Sequence, residues 1–463
     1  GVNIQGAIVQ WGDGTHNRFF MPGTRETIYI NLYTRRARGH LIFDYNGPVT
    51  LGAPISGGLY HDTMAAVRVG DVTVAGTRGN DVTFADQQNY DGTTTIERGA
   101  TLRLGTGRPG EDFWLITGTE GAKIVDDGAL VVRNAKRDIE LSGISGAGSF
   151  EQAGPASVTF TGDIAYSGRT TVSGGALVLA GGSLASSASL MLSKPGATFD
   201  VTSAGDQTVK NLRGVSGSAL RLGATTLTVV SAKDTTYDGR VAGAGGLVKA
   251  GPATLTYSGT STARGRWAVS GGTLVLADAK LAGGIVVRRA LGVSGRTAVG
   301  GSLTLRQTSA LQVSTGTELT VAGDVELGGK LEIRHKDGAA LPREIPVVTS
   351  GGEITGTFAG LEEGDRLDIG GAAYEISYAA DRVLLTAPSG AASSEDAAGS
   401  SSSRSGAWPV VAILSASVAA LVLGAVVVFR RRRRSDQLDR GDLVDQATPP
   451  TRPWSTADRR FPR

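Results

Sequence analysis

The side chains able to do chemistry are few and scattered. Four histidines, His16, His40, His61 and His335, show no i, i+4 pair and no H-E-x-x-H spacing. Cysteine is absent, so thiolate metal sites, cysteine nucleophiles and disulfides are excluded. A glycosidase needs two carboxylates facing each other across a cleft, and Asp71 with Asp81, or Glu362, Glu363 and Asp365, could be nominated. Each also reads as a turn residue in water, and Arg366 beside Asp365 suggests a surface ion pair. His61-Asp62 has no G-x-S-x-G nucleophile to serve. There is no G-x-x-x-x-G-K-[ST] phosphate loop. No catalytic residue, metal site or cofactor is therefore expected, and the chain reads as non-enzymatic. The best candidates for ligand contact are three aromatics near the N-terminus, Trp11, Tyr45 and Tyr60, which could stack on sugar rings. The alternative is that they fill the open end of a core.

Whatever positions these residues is built from a repeat. "GAGSFEQAGPASVTFTG" begins at Gly146, and "GAGGLVKAGPATLTYSG" begins 97 residues later at Gly243. Extended to residues 180 and 277, the copies share 19 of 35 positions, mostly glycines and the closing "VSGG-LVLA". Between the glycines the residues alternate: Leu255 and Tyr257 face one way, Thr254, Thr256 and Ser258 the other. Period two marks a strand with one dry face. Glycine, 68 of 463 residues, sits where the alternation stops, as a turn former. Gly271 and Gly272, and their equivalents in the first copy, are expected to turn the chain with φ > 0 at one or both. Equivalence of the copies also predicts that removing one period, residues 146–242, leaves the strand register intact. Turns every 8–15 residues and small side chains favour stacked coils over a two-sheet sandwich.

The regions differ in texture. Residues 1–53 are aromatic-rich and read as an N-terminal β region or cap. Residues 54–277 carry the repeats, beginning with an eroded copy, "PISGGL" to "YDGTTTIERGATLRL". Residues 278–387 continue the strands and end in a more charged segment placed to cap the last coil. Residues 388–406 form a Ser/Gly/Ala-rich linker. Residues 407–429, flanked by Trp408 and Phe429, are uncharged over 23 residues, roughly 34 Å as a helix, and read as one membrane span. Arg430, Arg431, Arg432, Arg433 and Arg434 follow and place the tail, 430–463, in the cytoplasm. The tail holds ten arginines and five aspartates, while residues 1–429 hold 36 basic and 38 acidic side chains. The large region has no net basic charge to attract nucleic acid. Its expected partners are the lipid bilayer and a cell-wall or host-surface glycan or protein. An extracellular region needs an export leader, so a sequence starting at Gly1 is expected to be a mature form or a fragment.

The pattern "GAGGLVKAGPATLTYSG…VSGGTLVLA" resembles the autotransporter-associated β-strand repeat of bacterial passenger domains, well over residues 54–300 and loosely to 386. The resemblance implies an all-β, right-handed parallel β-helix on the cell surface, with an adhesive or structural role. A polysaccharide-acting enzyme or carbohydrate-binding protein on the same scaffold is the alternative. Autotransporters end in a membrane β-barrel. Here a single transmembrane helix stands in that place, and no LPxTG wall-sorting signal precedes it.

Overall fold

The computed structural model describes residues 2–5, 7–16, 28–31, 39–56, 70–76, 79–90, 92–113, 123–162, 164–335 and 340–387. The chain divides into two compact units, Gly1–Ser393 and Ser394–Arg463. The membrane span and basic tail expected in the second unit lie outside the described residues. Among the described residues no helix is long and apolar enough to cross a membrane.

Every described element is a strand, mostly of two to five residues. Strands pair in parallel with the strand about 20 residues ahead, as Ser149–Gln152 does with Arg169–Val172 and that strand with Ser189–Leu192. Such a pattern is a parallel β-solenoid, in which each coil hydrogen-bonds to the next. The coils have three faces. Face I is a 14-stranded sheet running from Pro48–Leu51 to Lys330–Arg334. Face II holds a four-stranded sheet and then a second 14-stranded one, and face III holds sheets of six and eight strands. Around one coil the chain visits II, III and I in turn: Ala219–Gly223, Leu227–Val230 and Thr235–Tyr237.

The alternation read from the sequence is what buries the core. Leu255 and Tyr257 are 1% exposed, whereas Thr254 and Thr256 are half-buried and Ser258 is exposed. Inward residues stack in axial columns, such as Leu102, Leu130 and Phe150 on face I. Each fully buried Leu, Val or Phe contributes about 1.5–3 kcal/mol relative to exposure. Rings within these columns also touch: Phe150 and Phe160 lie 4.9 Å apart, and Tyr237 stacks on Tyr257 at 6.0 Å. Corners need tight turns, and Gly175 (φ 54°) and Gly272 (φ 58°) supply the left-handed residue at equivalent places in the two copies.

The copies do not sit on the same faces. Ser149–Gln152 lies on face I, but its equivalent, Leu247–Ala250, lies on face III. Following face I from Ser149–Gln152 reaches Thr254–Tyr257 after five coils, one face beyond Leu247–Ala250. The 97-residue spacing is therefore five coils less one face. Removing residues 146–242 would shift every later strand by a face, contrary to the sequence expectation. The reason is that all three faces demand the same in–out alternation, so one strand sequence fits any of them.

The last coils close differently. Glu344–Ser350 pairs antiparallel with Arg382–Thr386, which pairs with Ala372–Tyr378, and that strand with Arg366–Ile369. Tyr374 donates its hydroxyl to the Pro342 carbonyl at 2.5 Å, and Tyr378 to the Leu361 carbonyl at 2.8 Å.

Candidate functional site

The corner where the chain leaves face I is short in most coils. After Thr101–Leu104 it becomes a longer excursion, residues 105–112. Glycines at φ near 85° (Gly105, Gly107 and Gly110) allow its bends. Its shape is set by bonds within it. Thr106 Oγ1 donates to Glu111 Oε2 at 2.8 Å, and the Arg108 amide donates to Thr106 Oγ1 at 3.2 Å. Its base is clamped to the next coil. Asn134 Nδ2 donates to the Phe113 carbonyl (2.7 Å), and Asp112 accepts the backbone amides of Ala135, Lys136 and Arg137.

Between this loop and the outer surface of face I lies a groove of about 950 Å³. Thr50, Thr83 and Arg103 form its floor, Thr106, Arg108 and Glu111 one wall, and Asp86 and Arg133 its remaining edges. Arg103 is held flat by two bonds to Asp81, 2.7 and 2.8 Å, and the carboxylate pushes the guanidinium pKa up. Arg108 and Arg133 are exposed and make no ion pair among the described residues. Hydroxyls, guanidinium groups and two carboxylates converge in a space of small-oligosaccharide size. That lining can donate and accept hydrogen bonds, and four glycines in it allow close approach.

Of the three aromatics nominated as sugar contacts, Tyr45 must be withdrawn. It is 0% exposed, packs against Phe43, and has its pKa raised strongly by burial. A fully enclosed ring has no face to offer. Trp11 is half-buried, edge-on to Phe43 at 5.7 Å, and Tyr60 lies outside the described residues. Four of the five nominated carboxylates are also occupied. Asp71 Oδ1 accepts the Thr93 amide, Asp81 holds Arg103, Glu363 accepts the Tyr378 amide and Asp365 the Glu362 amide. Arg366 reaches Glu375 (3.7 Å) instead of Asp365. His16 bonds Asp13, whose carboxyl it holds well below the usual range, with Thr15 adding to the effect. His40 bonds Thr73, and His335 lies by Thr315. His61 is outside the described residues. Among the described residues no three metal-ligating side chains come together.

Three polar arrangements, two of them buried, went unnoticed in the sequence. Lys249, 0% exposed, stands in an inward column between Val229 and Val269. Its ammonium donates to the carbonyls of Ala250 (2.9 Å), Gly251 (3.1 Å) and Gly271 (2.9 Å). Burial pushes it down to about 8, with Asp234 acting the other way. Gln152, its equivalent in the first copy, stands between Val132 and Val172 and donates to the carbonyls of Gly154 and Ala156. The signal was the polar residue at an inward position before each "AGPA". Second, Tyr166, Thr170 and Ser187 form a buried hydroxyl chain at 2.6 and 2.8 Å, and Tyr90 with Thr94 repeats its start. Third, corner aspartates accept a backbone amide from the next coil: Asp127 from Ala147, Asp206 from Thr226 and Asp234 from Thr254. They staple corner amides that the strand ladders leave over.

Lys249 and Gln152 lie in the two segments that match a known repeat. Residues 150–179 and 247–276, which contain both, match the passenger-associated-transport-repeat. Two segments of the chain are thus similar to that repeat. Among solved structures, the Haemophilus influenzae Hap adhesin is similar at 13% identity, with a TM-score of 0.20. That match covers 79% of this chain and 59% of the adhesin, so the transport-repeat chain spans well under two thirds of that protein's length. The likeness is too distant to bear on function. No curated protein matches the chain.

Proposed function

We propose that this transport-repeat protein is a bacterial cell-surface β-solenoid with an adhesive role, its groove on face I presented to a wall or host-surface glycan. The winding is right-handed, following the twist preference of parallel crossovers. Residues 407–429 form the single membrane anchor, and Arg430–Arg434 hold the tail in the cytoplasm. The observation that carries this reading is the match to the transport repeat, built into a parallel solenoid whose face I sheet runs through 14 strands. Each coil contacts its neighbours, so added coils add length and carry a binding surface outward. The groove's contribution is recognition: Arg108, Arg133 and the threonine floor bond sugar hydroxyls.

A second reading has one observation in its favour. Asp86 and Glu111 line the same groove, as the two carboxylates of a polysaccharide-cleaving enzyme would. One experiment separates the readings. The full chain is incubated with wall glycans, and both retention and new reducing ends are measured. Retention without cleavage, lost in Arg108→Ala/Arg133→Ala, supports the adhesin, and cleavage abolished by Glu111→Gln supports the enzyme. For topology, protease added to intact cells should remove residues before 388 and spare an epitope tag placed after Arg463. A tag digested from outside refutes the anchor.

A further inference from the structure

The near-neutral sum of the large region conceals two opposed parts. Residues 201–310 carry thirteen basic and four acidic side chains, and residues 311–386 six basic and thirteen acidic. The four acids of the basic part already serve the fold. Asp206, Asp234 and Asp278 accept the amides of Thr226, Thr254 and Arg296, and Asp238 accepts the Ser258 hydroxyl. Apart from Lys249, the cations make only long contacts of 3.3–3.8 Å or none among the described residues. Eleven of the thirteen are exposed, and Lys249 alone is buried.

Five of them form a staggered band along face II: Arg221 lies two residues to one side of the Arg240 column, Arg264 four residues to that side, and Arg296 two residues to the other. Arg221, Arg240, Lys280 and Arg296 lie on face II, in the strands Ala219–Gly223, Arg240–Gly243, Lys280–Leu281 and Arg296–Val299. Arg264 follows Thr260–Ser261, the face II strand of the coil between Arg240 and Lys280. That is one cation per coil over five successive coils. The register puts Arg240, Thr260 and Lys280 in one axial column, so Arg240 and Lys280 are about 10 Å apart. Arg221 and Arg296, both exposed, make only long pairs, 3.8 Å to Asp200 and 3.4 Å to Glu318. Arg240, Arg264 and Lys280 make no ion pair among the described residues.

We propose that this ladder binds a linear polyanion lengthwise, parallel to the solenoid axis. The ligand is a polymer bearing a carboxylate or phosphate on each repeating unit. A band of like charges, one for each coil rise of ~4.8 Å and within side-chain reach of a common line, attracts an extended chain of opposite charge more than any single ion, because its fields add along the band. The proposal stands apart from the groove reading, since face II and the loop at 105–112 share no residue.

The test uses the full chain with Arg430–Arg434 all changed to Gln, so that the basic tail does not contribute. Polygalacturonate and linear polyphosphate serve as probes, with dextran as the uncharged control. Five contacts predict a slope of log K against log salt of about −3.5. The triple variant Arg240→Gln/Arg264→Gln/Lys280→Gln should bring it to about −1.4, while Lys330→Gln/Arg334→Gln leaves it unchanged. Arg240, Arg264, Lys280, Lys330 and Arg334 are exposed, and strand circular dichroism checks that each variant folds. Binding of one or both polyanions with that loss of slope supports the ladder and distinguishes carboxylate from phosphate. Binding of neither, equal binding of dextran, or a slope indifferent to the triple variant overturns it.

Discussion

Replacing Lys249 offers the sharpest test of how the repeat works. Lys249 is inside the solenoid, and two of its three acceptors, the carbonyls of Gly251 and Gly271, have no other bonded partner among the described residues. Lys249→Met keeps the length and apolar stem but removes every donor. Each buried carbonyl left unpaired costs about 1–3 kcal/mol, so the loss is about 2–6 kcal/mol before the relief of burying no ammonium. That relief is of similar kind but smaller, because carbonyl contacts already compensate the charge, and a net loss of about 2 kcal/mol or more is expected. Lys249→Gln should lose less, since Gln152 does the same task in the other copy. The measurement is the urea midpoint of the purified chain, with amide exchange at Ala250–Gly272 as the local readout. The lysine's pKa is lower folded than unfolded, so the native state binds its proton less tightly. Stability should therefore rise with pH between about 8 and 10.5, and this rise should vanish in both variants. A methionine variant as stable as the parent at pH 7 would refute the idea that these carbonyls need the lysine.

Removing residues 149–253 takes out five whole coils and puts Thr254–Tyr257 where Ser149–Gln152 was. This protein should fold and shorten by about 24 Å in scattering, whereas removal of residues 146–242 should cost stability and cooperativity. Gly272→Val and Gly175→Val should each cost at least ~1–3 kcal/mol, read from denaturant midpoints. An added Cβ would lie 2.5 Å from the Ala253 carbonyl oxygen in one case and 2.2 Å from that of Ala156 in the other. Asp126 is 0% exposed with its pKa pushed up to about 7 by burial. The folded state holds that proton more tightly than the unfolded one, so the stability it contributes is full below about pH 4 and lost as pH rises to 7. The loss amounts to about 4 kcal/mol at most. Asp126→Asn should flatten this slope in a pH series of urea midpoints, and an unchanged slope would count against a buried, protonated Asp126.

Strand positions and the dry face were legible because period-two alternation survives in nearly every coil, as at Thr254–Tyr257. The turn role of Gly272 was legible too, since glycine takes a positive φ at the least cost. The faces were not. A local alternation says in or out, and which of three equivalent sides a strand occupies depends on the summed lengths of all preceding corners. The candidate groove was hidden for a related reason. Its residues come from four coils, and the polar loop at 105–112 looks like any other corner until Asn134 and Asp112 pin it. Tyr45 was misjudged because an aromatic at an inward position and one at a binding surface look alike without the register. Charge was legible in principle, but a sum over 429 residues averaged away a segregation visible only in shorter windows.

The antiparallel closure at residues 344–386 has a kinetic consequence. In the solenoid coils a strand pairs with a partner about 20 residues away, so a whole coil must be ordered before the pairing rewards it. The pairing of Arg366–Ile369 with Ala372–Tyr378 needs only the bend at Gly370-Gly371, and Arg382–Thr386 can add to it after a short turn. Local pairing of that kind forms within microseconds. The Glu344–Ser350 strand that this hairpin recruits also pairs in parallel with Glu318–Val321 of the preceding coil. It thus offers a ready-made edge on which Glu318–Val321, and then each earlier coil, can be laid down. Assembly is expected to start from this end and advance towards the N-terminus, each finished coil acting as the mould for the one before it.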